Sequence, residues 1–426
     1  MINLSSIKYP IKAYLNIRKA TSPSFSHDGT AVVFLLDVTG TPQIWRVSVE
    51  GGWPEQLTYY DERIREALCS PTGKAIAFAT DRGGDERDQI YLLSPTLGVV
   101  TPIALEPGII HGLGPWAHDG TKVSYKSNAR NRAFFDIYIA DVTTEQSRRV
   151  WEQDGANSPE AWSHDDARLL VKRMNTNLDS DFYLIDLKTR EPTLLTPHHD
   201  EASYSHPAFT PDDQSIVCLT NRDREFVSFV SIEIETGKEE AIVEAEHDID
   251  GLAISVDGGK AAFTTNEEGY STISILDLAT RRCETVKGLL PGVVNGLAWS
   301  PDGAHLAFGF SGSRYNSDIW LYQDKTREVL RLTKSSKGGI PPESFVEPEL
   351  IRFPTFDERI LPAFLYKPKR WKGETPPVVL QVHGGPESQS RPSFNPIIQY
   401  LVNQGFAVLS PNVRGSRGYG KEYVHL

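Results

Sequence analysis

Seven times along the chain, a run of alternating apolar and polar residues enters a turn of the Ser-Pro-Asp-Gly kind and leaves it as a second apolar run. The turns are Ser26-His27-Asp28-Gly29, Ser70-Pro71-Thr72-Gly73, Ala117-His118-Asp119-Gly120, Ser163-His164-Asp165-Asp166, Thr210-Pro211-Asp212-Asp213, Ser255-Val256-Asp257-Gly258 and Ser300-Pro301-Asp302-Gly303. Their last residues lie 44, 47, 46, 47, 45 and 45 positions apart, a regularity that marks a structural unit rather than chance turns. In the seventh unit, residues 296–300 lead into the turn, 304–310 alternate, 318–322 are aromatic and β-branched, and 328–332 close the set. Each unit is therefore predicted to hold four strands. Gly or Asp at the last turn position suits a hairpin that needs positive φ there.

Four-stranded units of this length bury their faces only against one another, which predicts a seven-bladed β-propeller over residues 20–336, after an N-terminal segment 1–19. Trp116, Trp162 and Trp299 share one repeat position and are expected in the core. The Trp-Asp and Gly-His dipeptides of the WD40 class are missing from their places. The repeats instead resemble those of TolB-like propellers and of the propellers of prolyl oligopeptidase-type enzymes.

Past the repeats the pattern changes. Residues 337–348, rich in Gly and Pro, read as a linker. Residues 349–426 begin with two strands, 349–356 and 360–366, around the polar turn Asp357-Glu358-Arg359. The run Pro377-Val378-Val379-Leu380-Gln381-Val382 is almost wholly apolar and predicts a strand buried on both faces. Residues 395–403 have helical spacing and stop at Gly405, and 406–410 form another buried strand. Strand, helix, strand in this order is a parallel α/β unit.

Candidate chemistry lies at the ends of those two strands. His383-Gly384-Gly385-Pro386 follows the first directly, where backbone N–H groups can approach the oxyanion of an acyl-transfer intermediate. The second runs into Ser410-Pro411-Asn412-Val413-Arg414-Gly415-Ser416-Arg417-Gly418-Tyr419-Gly420. Together these segments resemble the start of the hydrolase domain in the prolyl oligopeptidase family of serine peptidases, particularly its acylaminoacyl-peptidase-like branch, and the upstream propeller is what that family carries. The resemblance implies a Ser-Asp-His hydrolase of small peptides or acyl-peptides, with the propeller restricting access. It nominates Gly384, Gly385, Pro386, Arg414 and Tyr419 as substrate-adjacent, Gly385 foremost for the oxyanion. His383 reads as a residue holding its loop, and Arg414 as a tether through charge-assisted bonds.

The departures from the family pattern are specific. The hairpin turn at 357–359 lacks the frequent glycine, and Arg417 stands where a smaller residue is usual. More consequentially, no G-x-S-x-G occurs: Gly309-Phe310-Ser311-Gly312-Ser313 ends in serine, and Gly415-Ser416-Arg417-Gly418 has the wrong spacing. In this fold Ser, Asp and His follow in that order, so all three are expected beyond Leu426, which makes residues 349–426 an incomplete α/β-hydrolase domain and the chain an inactive fragment of a peptidase. The alternative is a non-catalytic, TolB-like propeller that binds a peptide or protein.

Composition narrows the classes further. With 56 acidic and 44 basic residues the net charge is −12, which disfavours nucleic acid and anionic membrane surfaces. No apolar run approaches a bilayer span and the first twenty residues have no signal-like core, so a soluble cytoplasmic protein is expected. Cys69, Cys218 and Cys283 suit buried strand positions rather than a disulfide framework or metal site. The acidic cluster Asp81, Asp85, Glu86 and Asp88 matches no calcium-loop spacing and reads as a solvated turn, and His198-His199-Asp200 reads as a blade junction whose two rings point apart. No cofactor or metal is called for. The expected partner is a small peptide, and the sequence leaves an oligomer open.

Overall fold

The computed structural model describes residues 8–369, 375–385 and 387–426, and its architecture is mostly β. Sheets of four antiparallel strands are laid down in chain order: the first takes all its strands from Ala20–Phe25, Ala31–Leu36, Gln43–Ser48 and Glu55–Gln56. One eight-stranded sheet consists of two such sets joined by a single parallel pair, Phe135 with Ala156. The innermost strands Ala20–Phe25, Ile64–Cys69, His111–Trp116, Ala156–Trp162, Tyr204–Phe209, Ile249–Ile254 and Val293–Trp299 each touch the next, and the last returns to the first. The result is a propeller.

Strand composition follows from this arrangement. In Ala31–Leu36, Val32, Phe34 and Leu36 pack to one side and Val33 and Leu35 to the other, because each sheet is sandwiched between two neighbours. Val217 and Leu219 turn away from Ile216 and Cys218 in the same manner. Full burial of each large aliphatic side chain contributes roughly 1.5–3 kcal/mol. The ring closes through such a layer, Phe25 and Phe34 against Ile319 and Leu321, with no strand shared between the first and last sheets.

The repeated turns form the rim of one face. Ser26, Ser163, Ser255 and Ser300 each donate a hydroxyl to the Asp two positions on, at 2.5–2.6 Å. These bonds hold the carboxylates below their usual range, Asp28 at about 2. Asp166 and Asp213, at φ 55° and 56°, do more than tolerate the turn. The Asp166 carboxylate accepts the His118 and Asp119 N–H groups of the preceding turn at 2.7 and 2.9 Å, and Asp213 accepts the His164 N–H at 2.9 Å. Two of the repeats thus replace glycine with a clamp between blades.

The opposite face is formed by the other ends of the blades, and every innermost strand carries a break in register. Bulges of this kind re-aim the residue they leave unpaired; Arg65, Glu160 and Asp250 are three such residues.

The C-terminal sheet lies against that second face. Its order is Glu349–Pro354, Ile360–Tyr366, Ala407–Pro411, Val378–Leu380; the last pair is parallel and the others antiparallel. Helix Pro396–Gln404 connects the parallel strands, with the Asn395 side chain accepting the Ile397 and Ile398 N–H groups and Gly405 at φ 102° ending it. Two expectations need correction here. The apolar run at 377–382 is not buried on both faces: Val378, Leu380 and Val382 are 57%, 61% and 53% exposed, because their strand is the sheet edge and no described residue covers it. Segment 337–348 is no loose connector either, since Ile340, Phe345 and Val346 are buried. Phe345 joins Tyr14 of helix Ile11–Leu15 and Phe394 in an aromatic cluster that straps the N-terminal segment to the C-terminal one. No helix among the described residues is long and apolar enough to cross a membrane.

Candidate functional site

Two parallel strands present their carboxyl ends side by side, and from those ends run the loops 381–395 and 412–420. Crevices at such ends are where open α/β sheets bind ligands. The first loop opens with the exposed Gly384 and Gly385. Gly385 has φ 139°, and a Cβ there would meet the Glu387 and Ser388 nitrogens at 3.0 Å, so the turn requires glycine. The Gly384 and Gly385 N–H groups meet no acceptor among the described residues, which leaves them available to a ligand oxygen. Pro386, nominated with them, lies outside the described residues.

His383 joins the two loops: its Nε2 is 2.9 Å from Ser416 Oγ, while Nδ1 is 3.1 Å from the Gly384 carbonyl. Ser416 is fully buried and donates its hydroxyl to the Val413 carbonyl at 2.6 Å, so it accepts from His383. Arg414 reaches the hairpin of the neighbouring strands, donating to Thr355 Oγ1 at 3.0 Å, pairing with Asp357 and lying over the Phe356 ring. The Thr355 hydroxyl, and then the Arg414 charge, hold the Asp357 carboxyl below its usual range. Tyr419 accepts from Asn412 Nδ2 at 2.8 Å, and burial pushes its phenol up.

Asn412 was missed in the sequence. It is fully buried at the end of the second strand, accepts the Ser390 N–H at 2.6 Å and donates to the Ser390 carbonyl at 3.1 Å, so one amide locks both loops. Its signal was a polar residue directly after a buried strand. Arg391 and the propeller residues it touches gave no signal, because their sequence separation exceeds a hundred positions.

The remaining candidates resolve as follows. Asp81 is buried rather than solvated and pairs with Arg65 at 3.4 Å, with Asp88 on the same guanidinium at 2.8 Å; the cation comes from the adjacent strand. His198 bonds Asp179 at 2.8 Å and the Thr196 carbonyl at 2.7 Å, which with Asp181 holds its imidazole pKa up against burial. His198 and His199 both border one cavity of about 740 Å³. No group of metal-ligating side chains is found among the described residues. Cys218 is buried as expected, whereas Cys69 is half-buried and Cys283 exposed on an outermost strand; burial raises all three thiols, Cys69 to about 11. Trp116, Trp162 and Trp299 are core residues, and each indole N–H donates across to a carbonyl about one repeat earlier: Leu68, Pro115 and Ala253.

The family model described as prolyl oligopeptidase, N-terminal β-propeller domain, matches residues 53–328. The chain is 24% identical to the uncharacterized peptidase YuxL of Bacillus subtilis (strain 168), over 96% of this chain and 71% of that protein. It is 23% identical to dipeptidyl aminopeptidase BIII of Pseudoxanthomonas mexicana, over 94% of this chain but only 60% of that one. Among solved structures, a puromycin hydrolase superposes with TM-score 0.81 at 16% identity, covering 99% of this chain and 70% of that chain. A prolyl endopeptidase superposes with TM-score 0.82 at 16% identity, covering 99% and 64%.

Proposed function

The chain belongs to the prolyl oligopeptidase family, and on that premise we propose that it forms a seven-bladed propeller over 20–336, a joining segment 337–348 and, from 349 on, the leading part of the α/β-hydrolase domain of a serine peptidase. The substrate class is small peptides or acyl-peptides, with the closed ring of blades limiting access, in the manner of the acylaminoacyl-peptidase-like branch. One observation carries this reading: the parallel pair Val378–Leu380 and Ala407–Pro411 delivers to the end of the sheet that faces the propeller a Gly384-Gly385 turn whose N–H groups meet no acceptor among the described residues.

In acyl transfer a serine oxygen adds to the substrate carbonyl, and negative charge gathers on the carbonyl oxygen. N–H groups of the Gly384-Gly385 turn would share that charge with the N–H that follows the serine; a single donor of this kind is worth roughly 3–4 kcal/mol of barrier. No described residue is nominated as nucleophile or base. The serine would arrive on a further strand pairing with the open edge at Val378–Leu380, where the exposed apolar side chains await a neighbour. Asp and His would follow it.

The chain by itself is therefore expected to give no turnover of acyl-amino-acid anilides and no labelling by an active-serine fluorophosphonate probe, while the longer reading frame, carrying G-x-S-x-G, is labelled at one serine. Labelling of the 426-residue chain, or a longer frame without that serine, would overturn the reading.

A further inference from the structure

From Glu387 to Asn395 the chain forms no helix or strand, so outside contacts decide its shape. Several come from the propeller. Asn266 Nδ2 donates to Gln389 Oε1 at 2.7 Å, Ser313 Oγ to the Pro392 carbonyl at 3.0 Å, and the Phe394 N–H to Ser311 Oγ at 3.0 Å. All are neutral. The one charged residue of this loop that is anchored on the propeller by a full set of bonds is Arg391.

Its guanidinium makes three bonds to a single blade: Nη1 to Asp250 Oδ2 at 2.5 Å, Nη2 to Ser271 Oγ at 2.9 Å and Nε to the Gly269 carbonyl at 2.9 Å. Asp250 is the bulge residue skipped between Ile249 and Gly251, which is why its side chain leaves the sheet toward the loop. The Thr264 hydroxyl fixes its other oxygen at 2.6 Å. Gly269 at φ 96° permits the close approach: a Cβ there would meet Phe364 at 3.1 Å and Pro392 at 3.4 Å. With side chains only 20% and 24% exposed, the Arg391 and Asp250 pair is partly withdrawn from solvent screening.

We propose that Arg391 is a positioning residue for the Gly384-Gly385 turn: clamped to Asp250, Gly269 and Ser271, it makes the propeller blade, rather than the sheet alone, set where the turn's N–H groups stand. The inference rests on the reading of that turn as an oxyanion site, and it extends the propeller's part from restricting access to shaping the site. A propeller residue more than a hundred positions from the turn then governs its geometry.

The test uses distances rather than turnover. Gly384 has no atom within 4 Å of an added Cβ, so Gly384→Cys accepts a nitroxide label. Native Cys283 is exposed on the outermost strand of the Asp250 blade and takes the second label, with Cys69 replaced by Ser. Pulsed electron spin resonance on the chain should give one narrow distance distribution. Arg391→Gln should at least double its width, and Arg391→Lys, which keeps the charge toward Asp250, should narrow it again. Asp250→Asn, which leaves the loop sequence intact, should broaden it too, and serves if the Arg391 variant folds poorly. An unchanged width in Arg391→Gln and Asp250→Asn would overturn the clamp, whatever the chemistry. Broadening in a protein whose full reading frame the fluorophosphonate never labels would keep the clamp and remove the oxyanion reading.

Discussion

Replacing tryptophan by phenylalanine should have opposite consequences at two core positions of the propeller. Trp162 is buried and its indole N–H donates to the Pro115 carbonyl at 3.0 Å, one blade away. That carbonyl also accepts the Ser124 hydroxyl at 2.9 Å, so Trp162→Phe leaves no orphaned acceptor. The loss is one net hydrogen bond, about 1 kcal/mol, and the burial of the second ring, about another 1 kcal/mol at ~25 cal/mol per Å². Trp45 is also buried, but its indole N–H finds no partner among the described residues. Trp45→Phe loses a similar apolar area and removes a buried donor whose desolvation costs roughly 1–3 kcal/mol, so it should be neutral or stabilising by about 1 kcal/mol. The two variants should therefore differ by about 2–3 kcal/mol in urea unfolding followed by near-ultraviolet circular dichroism, through the midpoint at constant slope. Trp162→Ala, which opens a cavity as well, should cost roughly 3–5 kcal/mol. Equal losses in Trp45→Phe and Trp162→Phe would refute the reasoning, because ring volume alone would then explain both.

The propeller should also respond to pH through His111, which is 4% exposed and has neither ring nitrogen partnered among the described residues; burial lowers its pKa to about 4. The folded state then binds fewer protons than the unfolded one between pH 6.5 and 4. Stability from this group is full above pH 6.5 and falls as pH drops, by about 1.4 kcal/mol per unit; His111→Leu should flatten that part of the unfolding profile, and an unchanged slope counts against the assignment. Asp166→Gly relieves a positive φ but loses the clamp on the His118 turn, a net loss of about 1 kcal/mol by chemical denaturation, whereas a gain in stability would show the turn conformation to dominate. Gly258→Ala places a Cβ 2.2 Å from the Pro211 ring at φ 68°, so its melting temperature should drop by several degrees, and a wild-type melt would mean the turns of these two blades are free to part.

The propeller was legible because its information is local and repeated. Turn chemistry at 26–29 and its six copies, alternation, and shared tryptophan positions are all written within one repeat, and each strand's burial depends on neighbours that the repeat itself supplies. The Gly384-Gly385 turn and the strand, helix, strand unit around it were readable for the same reason: cap, helix and strand lie within about thirty residues.

What the sequence did not determine lies between segments far apart in the chain. The apolar run 377–382 looked doubly buried, but whether an edge is covered depends on which strand lies beside it, and that is settled by sheet order rather than by hydrophobicity. The acidic residue Asp81 looked solvated until Arg65 was found beside it, and Gly and Pro at 337–342 suggested a free linker where Tyr14 and Phe394 supply a core. Asp250 and Arg391 are the sharpest case. A bulge, a carboxylate and a loop arginine are each unremarkable in sequence, and only the folded chain brings their charges within bonding distance, where partial withdrawal from water makes the pairing specific.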